Sequence, residues 1–161
     1  MSNVDVSWYA LDVQPRFEKV VSQSLQAQGL ETFLPLYLRR TRSSDCEKKI
    51  QLPLFPGYVF CKVNLSKELA LPTPGLNSLA GSGNEPVSIR QSELDNIHMV
   101  LRSGTYCEPW PFVQTGELVE VEHGTLAGLR GFAVTVGNQE RLVISLNLIQ
   151  RSMCVKISRF S

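Results

Sequence analysis

The chain has 161 residues, of which 43% are hydrophobic, and its formal net charge is +1. This length suits one medium domain or two small ones, and the balanced charge excludes a general basic surface of the kind that coats nucleic acid. No apolar run reaches the length of a membrane-spanning helix. Residues 1–5 lack the basic start of a signal peptide, so we expect a cytoplasmic protein without membrane partners.

The titratable side chains form no pattern that catalysis or metal binding requires. Four cysteines are scattered along the chain, at Cys46, Cys61, Cys107 and Cys154. Their spacing predicts reduced thiols rather than a metal site or a disulfide framework. The two histidines, His98 and His123, have no cysteine, serine or acid partner at motif spacing. We therefore expect no enzyme activity, no metal and no cofactor.

The N-terminal part of the chain alternates between strand and helix patterns. The predicted strands are 8–13, 31–40, 50–52 and 57–63, and the predicted helices are 16–28 and a second one that begins at residue 92. The strands 31–40 and 50–52 would form a hairpin with a polar tip at residues 41–49. This order predicts an α+β domain over residues 1–104, with an antiparallel sheet and flanking helices. Residues 105–113, stiffened by Pro109 and Pro111, predict a linker.

The C-terminal part changes to short strands at regular spacing. This pattern predicts a small all-β barrel of the SH3-like type over residues 114–161. Glycines punctuate its start, at Gly116, Gly124, Gly128 and Gly131. We expect Gly124 and Gly128 to take positive φ in a loop, and Gly131 to permit the close approach of a neighbouring strand.

Residues 53–60 read Pro-Leu-Phe-Pro-Gly-Tyr-Val-Phe, which predicts a sharp bend that holds an aromatic ring just before a strand. Trp8 and Tyr9 lie upstream of this bend, and the glycine-spaced module downstream resembles the KOW motif. In this order the parts resemble the NusG family of transcription elongation factors over nearly the entire chain. The form of residues 53–60 and the basic hairpin look like the specialised RfaH-like and UpxY-like antiterminators of that family.

The resemblance implies an NGN domain that binds the clamp helices of RNA polymerase through an apolar patch. The matching positions are Ala10, Asp12, Phe55, Pro56 and Tyr58. We expect Phe55 to be the anchor, because aromatic side chains dominate the energetics of such interfaces. Asp12 stands where RfaH-like members carry an aromatic, so it would pair with a basic clamp residue or make no contact.

Two further contacts follow from the same resemblance. The gate loop across the polymerase cleft would be met by residues 70–75, where Thr73 is comparable to a His-Thr-Thr segment of the RfaH-like proteins. The phosphates of upstream DNA would meet the cations of the hairpin tip, Arg39, Arg40, Arg42, Lys48 and Lys49. Arg16 and Lys19 on the first helix would face the non-template strand. The alternative for the hairpin is a solvated, charged loop.

In the barrel, the segment Leu148-Ile149-Gln150-Arg151 matches the family segment that docks on a ribosomal protein or on the termination factor Rho. Leu148 and Ile149 could instead belong to the barrel core. In a strand, alternate side chains share a face, so we favour Ile149 with Arg151 over Leu148 as the exposed pair.

The function implied is that of an elongation and antitermination factor that bridges the polymerase cleft and suppresses pausing or termination at particular operons. A general, housekeeping NusG-type factor that also assists Rho is the alternative within the family. A ribosome-associated KOW protein that binds RNA is the alternative from another class, and the near-neutral charge disfavours it. We expect a monomer.

Overall fold

The computed structural model describes residues 6–43, 46–64, 73–82 and 85–157. In chain order the elements are β1 (Ser7–Val13), α1 (Glu18–Ala27), β2 (Glu31–Phe33), β3 (Leu36–Ser43), β4 (Cys46–Pro53), β5 (Tyr58–Val63), β6 (Leu76–Leu79), β7 (Gly81–Ser82), β8 (Glu85–Pro86), α2 (Gln91–Ser103), β9 (Cys107–Trp110), β10 (Glu117–Glu120), β11 (Arg130–Val136), β12 (Gln139–Leu146) and β13 (Arg151–Lys156). They fall into two compact units, residues 1–34 with 56–91 and residues 35–55 with 92–161.

The first unit is built on an antiparallel sheet in the order β2-β5-β1-β6. Apolar side chains of β1, β5 and α1 form its core, namely Leu11, Val13, Val21, Leu25, Val59, Cys61 and Val63. Helix α1 ends before Gly29, which takes a φ of +87°, as glycine after a helix commonly does. The predicted strands 8–13 and 57–63 and the predicted helix 16–28 are therefore confirmed.

The second unit contains an antiparallel sheet in the order β10-β11-β12-β13-β9 and the separate hairpin β3–β4. Gly124 and Gly128 have φ values of +91° and +93° in the loop before β11. At Gly131 a Cβ atom would lie 2.6 Å from the carbonyl oxygen of Val143. The predicted roles of these glycines are confirmed, because the loop turns through positive φ and the strands approach too closely for any larger residue.

The predicted fold class is confirmed: an antiparallel sheet with a packed helix comes first, and an all-β module comes last. The two units interleave along the chain, whereas the sequence predicts consecutive domains. The predicted domain boundaries stay a prediction, because they concern which parts of the chain fold independently. They place the first domain at residues 1–104, the linker at 105–113 and the barrel at 114–161.

Three local expectations differ from the structure. The strand predicted at residues 31–40 is divided into β2 and β3, in different sheets, around Leu34 and Pro35, because proline has no N–H for a ladder. The hairpin is longer than predicted, so residues expected at a polar tip are paired within β3 and β4. Cys107–Trp110, expected in a linker, form the edge strand β9 on β13, since their apolar side chains can pack although Pro109 cannot donate a ladder hydrogen bond.

Candidate functional site

Two of the side chains predicted to meet the clamp helices of RNA polymerase are buried. Ala10 is 0% exposed and lies directly opposite Phe60, which is buried beside it on the same face of the sheet. Phe55 is 1% exposed. The expectation that Ala10 and Phe55 present their side chains at the surface is therefore wrong for this structure. Burying a whole aromatic ring is more favourable than exposing it at a bend.

Near the bend, residues on this same face of the sheet are accessible to solvent. Asp12 and Tyr58 are directly opposite each other across β1 and β5, and both are half-buried. Pro56 is exposed. The carboxylate Oδ1 of Asp12 accepts a hydrogen bond from the side-chain nitrogen of Asn77 at 3.2 Å. We call Asp12, Pro56 and Tyr58 the rim patch, because they are the predicted contact residues that solvent reaches.

A buried carboxylate holds the bend that shapes the rim patch. The oxygen Oε2 of Glu18 accepts a hydrogen bond from the backbone N–H of Gly57 at 2.9 Å, and Glu18 is buried. The carbonyl of Gly57 accepts from the backbone N–H of Val13 at 2.9 Å, and Gly57 has a φ of +87°. Sequence analysis missed Glu18, and its one signal was an acidic residue in the first turn of a helix.

Thr73 is buried and not presented to a partner. Its hydroxyl oxygen accepts a hydrogen bond of 3.4 Å from the side-chain amide of Gln28. The buried, hydrogen-bonded hydroxyl supports its own loop, and the expected contact of Thr73 with the gate loop stays a prediction. Residues 70–72, which share that expectation, lie outside the described residues.

Arg16 and Lys19 are exposed near the start of α1. Arg16 has a φ of +73° in a turn that is closed by a hydrogen bond of 3.0 Å from the N–H of Phe17 to the carbonyl of Gln14. Pro15 precedes it, as is typical of a type II turn, whose next position favours glycine. An arginine there costs about 1 kcal/mol.

The hairpin brings its cations together along a ladder rather than at a tip. Arg39, Arg40, Lys48 and Lys49 are exposed. In the register Arg40 pairs with Lys49, and Arg42 pairs with Glu47. One ion pair, from Arg40 Nη1 to Glu47 Oε1 at 3.5 Å, is exposed to solvent and contributes little. The tip, residues 44–45, lies outside the described residues.

The predicted docking segment of the barrel is a turn, residues 147–150, before β13. Ile149 is 4% exposed, Leu148 is half-buried and Arg151 is exposed. The expectation that Ile149 shares an open face with Arg151 is wrong, because strand alternation does not hold in a turn where Gln150 has a φ of +51°. Leu148, Gln150 and Arg151 are the accessible side chains of this segment, and of these Leu148 and Arg151 belong to the predicted contact residues.

Two of the cysteines, Cys107 and Cys154, are held in an unreactive form by burial. All of the cysteines are free thiols, and Cys107 and Cys154 are buried on neighbouring strands. Burial raises the pKa of Cys107 to about 11, and burial also raises the pKa of Cys154. Both thiols therefore stay protonated and unreactive at neutral pH. Among the described residues, no group of three or more metal-binding side chains is found, and no helix is both long and apolar enough to cross a bilayer.

Comparisons with known proteins agree with this architecture. Residues 6–98 match the family model described as "Transcription termination factor nusG". The transcription termination/antitermination protein NusG of Rickettsia bellii is 21% identical over 168 residues, which cover 94% of this chain and 86% of that protein. The protein of the same name from Lactococcus lactis is 23% identical over 169 residues, covering 95% and 90%.

A solved structure is similar as well. It is described as "Domain interaction in Thermotoga maritima NusG" and superposes with a TM-score of 0.56 at 19% identity. The match covers 94% of this chain and 93% of that one. At this identity the likeness concerns the fold, and it extends over the α+β part and the barrel alike.

Proposed function

This chain belongs to the NusG family, and we propose that it is a cytoplasmic transcription termination/antitermination factor that binds RNA polymerase and suppresses pausing or termination at particular operons. The family match over residues 6–98 carries this proposal. The protein would act by binding alone, because an interaction that favours the active polymerase conformation shifts the equilibrium toward it.

We place the polymerase contact at the rim patch. Tyr58 and Pro56 offer apolar surface, and Asp12 beside them offers a carboxylate for a basic residue of the clamp. Phe55, being buried, would support the bend from beneath rather than touch the partner. Because Glu18 holds the N–H of Gly57, the patch is preorganised, which lowers the entropy cost of binding.

We propose that DNA phosphates meet the cations of the hairpin and, as a separate contact, Arg16 and Lys19 near the start of α1. Their exposure and the scarcity of acidic neighbours in β3 and β4 support this role. Arg16→Gly tests it cleanly, because glycine takes positive φ without steric cost and the turn is kept. We expect the variant to be at least as stable as the wild type, because glycine relieves the strain of the positive φ, and to bind forked DNA more weakly. Unchanged DNA binding would remove Arg16 from the site.

We propose that Leu148 and Arg151 are the contact residues of the barrel for a ribosomal protein or Rho. Their exposure in the docking segment supports this choice over Ile149. A Leu148→Ser and Arg151→Gln double variant should lose affinity for the barrel's partner while it keeps affinity for RNA polymerase. Loss of both activities would point to a folding defect.

The second candidate function is a general factor that acts on all genes. The relatives that match over most of their length carry the general name NusG, which favours it. Transcription with purified polymerase on templates of different upstream sequence separates the two candidates. A specialised factor changes pausing only on templates that carry a recruiting element, whereas a general factor changes it on all of them.

The direct experiment is a binding measurement with purified RNA polymerase. We expect the wild type to bind and the Pro56→Ala and Tyr58→Ala double variant to bind about tenfold or more weakly, since central aromatic contacts each contribute on the order of 2 kcal/mol. Leu118→Ala is the matched control, because Leu118 is an apolar side chain of the barrel that is 70% exposed. Absence of wild-type binding, or equal binding by all three proteins, would contradict the proposal.

A further inference from the structure

The second unit contains an open cleft of about 790 Å³ between the hairpin β3–β4 and the chain that follows α2. On one side it is lined by Tyr37, Arg39, Arg40 and Lys49 of the hairpin, and on the other by residues that include Tyr106. No residue that lines it is acidic. The cleft therefore combines aromatic rings with hairpin cations that the proposed function gives to DNA phosphates.

The charge of the cleft is not compensated within the described chain. Arg40 and Lys49 are directly opposite each other in the ladder, and like charges in this arrangement destabilise a hairpin. Arg40 has one ion pair, at 3.5 Å with Glu47. Among the described residues, Arg39 and Lys49 have no carboxylate within salt-bridge distance. An anionic ligand would relieve this repulsion.

The aromatic wall of the cleft is held in place. Tyr106 is 49% exposed, its hydroxyl donates a hydrogen bond to Glu108, and Glu108 in turn pairs with Arg141 at 3.8 Å. The carbonyl of Tyr106 accepts a hydrogen bond of 3.0 Å from the N–H of Lys156. Tyr37 is close enough to influence the ionisation of Tyr106. A half-exposed ring fixed in this way offers a stacking surface at low entropy cost.

We propose that this cleft binds single-stranded nucleic acid, with an unpaired base stacked on Tyr106 or Tyr37 and the phosphates along Arg39, Arg40 and Lys49. Aromatic side chains within a basic groove are the general means of holding single strands, whereas the bases of a duplex are already stacked and their faces are closed to a tyrosine. The proposal deepens the proposed function. It rests on that function in one respect: a transcription complex is the source of the unpaired DNA or RNA that the cleft would bind. Binding itself needs no polymerase.

The test is fluorescence anisotropy of the full chain with labelled oligonucleotides of about ten nucleotides, as DNA, as RNA of the same sequence and as duplex. We expect single strands to bind more tightly than duplex. Tyr106→Leu should weaken single-strand binding about tenfold, because a stacked base contributes on the order of 1–3 kcal/mol. Tyr106→Phe keeps the ring and should retain most of the affinity. A preference for DNA would indicate the non-template strand, and a preference for RNA would indicate the transcript.

The charged wall is tested by salt dependence. Lys49→Gln should lower the slope of log K against log salt by about 0.7, the value for one phosphate contact of a single strand. Lys62→Gln, which removes one cation from the first unit, is the matched control and should leave the slope unchanged. Competition by polyglutamate that equals competition by unlabelled single strand would mean that the cleft takes acidic peptide, and this would overturn the proposal.

Photocrosslinking of the wild type tests the proposal without relying on variants, which could fail to fold. Oligonucleotides with 5-iodouracil, crosslinked by light and mapped by mass spectrometry, should attach to the peptides that contain Tyr37 or Tyr106. Crosslinks only elsewhere, or single-strand affinity that Tyr106→Leu leaves unchanged, would overturn the proposal. Failure of the wild type to bind RNA polymerase would instead defeat the proposed function, because the oligonucleotide assay contains no polymerase.

Discussion

Replacing Phe55 by alanine should destabilise the protein rather than remove a surface contact. The ring is 1% exposed and is among the largest fully buried side chains of the described chain. Truncation of a buried phenylalanine to alanine costs about 3–5 kcal/mol, because the apolar transfer energy is lost and a cavity remains. For a chain of this size each kcal/mol lowers Tm by about 2–4 °C, so the expected drop is roughly 6–20 °C.

The assay is thermal unfolding followed by circular dichroism, together with polymerase binding at a temperature where the variant is still folded. Phe55→Leu is the graded control and should lose much less stability, since leucine refills most of the cavity. Pro56→Ala, at the exposed neighbour, should melt within about 2 °C of the wild type. A Phe55→Ala protein that keeps its Tm and loses polymerase binding would show that the ring is a surface anchor after all.

Three further predictions follow from single contacts. Glu18→Ala leaves the N–H of Gly57 without its acceptor and should cost about 1–3 kcal/mol in urea unfolding; an unchanged midpoint would mean that water replaces the carboxylate. Gly131→Ala places a Cβ atom 2.6 Å from a carbonyl oxygen of β12 and should destabilise the barrel by about 2 kcal/mol or more, which hydrogen exchange resolves by element. A hydrogen bond to Glu108 and partial burial raise the pKa of Tyr106 to about 12. The protonated Tyr106 therefore contributes its full stabilisation below pH 10, and this stabilisation is lost as the pH rises toward 12. Glu108→Gln should lower the pKa of Tyr106 in a spectrophotometric titration.

Local structure was predicted correctly at positions where a residue type, such as glycine, has one well-defined conformational role. Gly131 was expected to permit close approach of a strand, and a Cβ atom there would clash with backbone. Glycine after α1 and in the loop before β11 takes the positive φ that other residues avoid. The predicted strand 8–13 and the predicted helix 16–28 likewise supply Leu11, Val21 and Leu25 to the observed core.

The candidate site was harder to predict because exposure depends on the whole fold. Ala10 and Asp12 share one face of β1, yet the first is buried and the second half-buried, and strand alternation alone does not separate them. Ile149 was placed by strand alternation, but its segment is a turn. Glu18 could not be found from the sequence, since the N–H that it accepts belongs to Gly57, on a distant segment of the chain.

The most direct test of the central claim is the dwell time of purified RNA polymerase at a defined pause, with and without this protein. We expect the wild type to shorten the pause on a template that recruits it, and the Pro56→Ala and Tyr58→Ala double variant, folded to the same Tm, to leave the pause unchanged. A wild type that leaves the pause unchanged on every template, or a double variant that is as active as the wild type, would contradict the assignment of the rim patch as the polymerase contact.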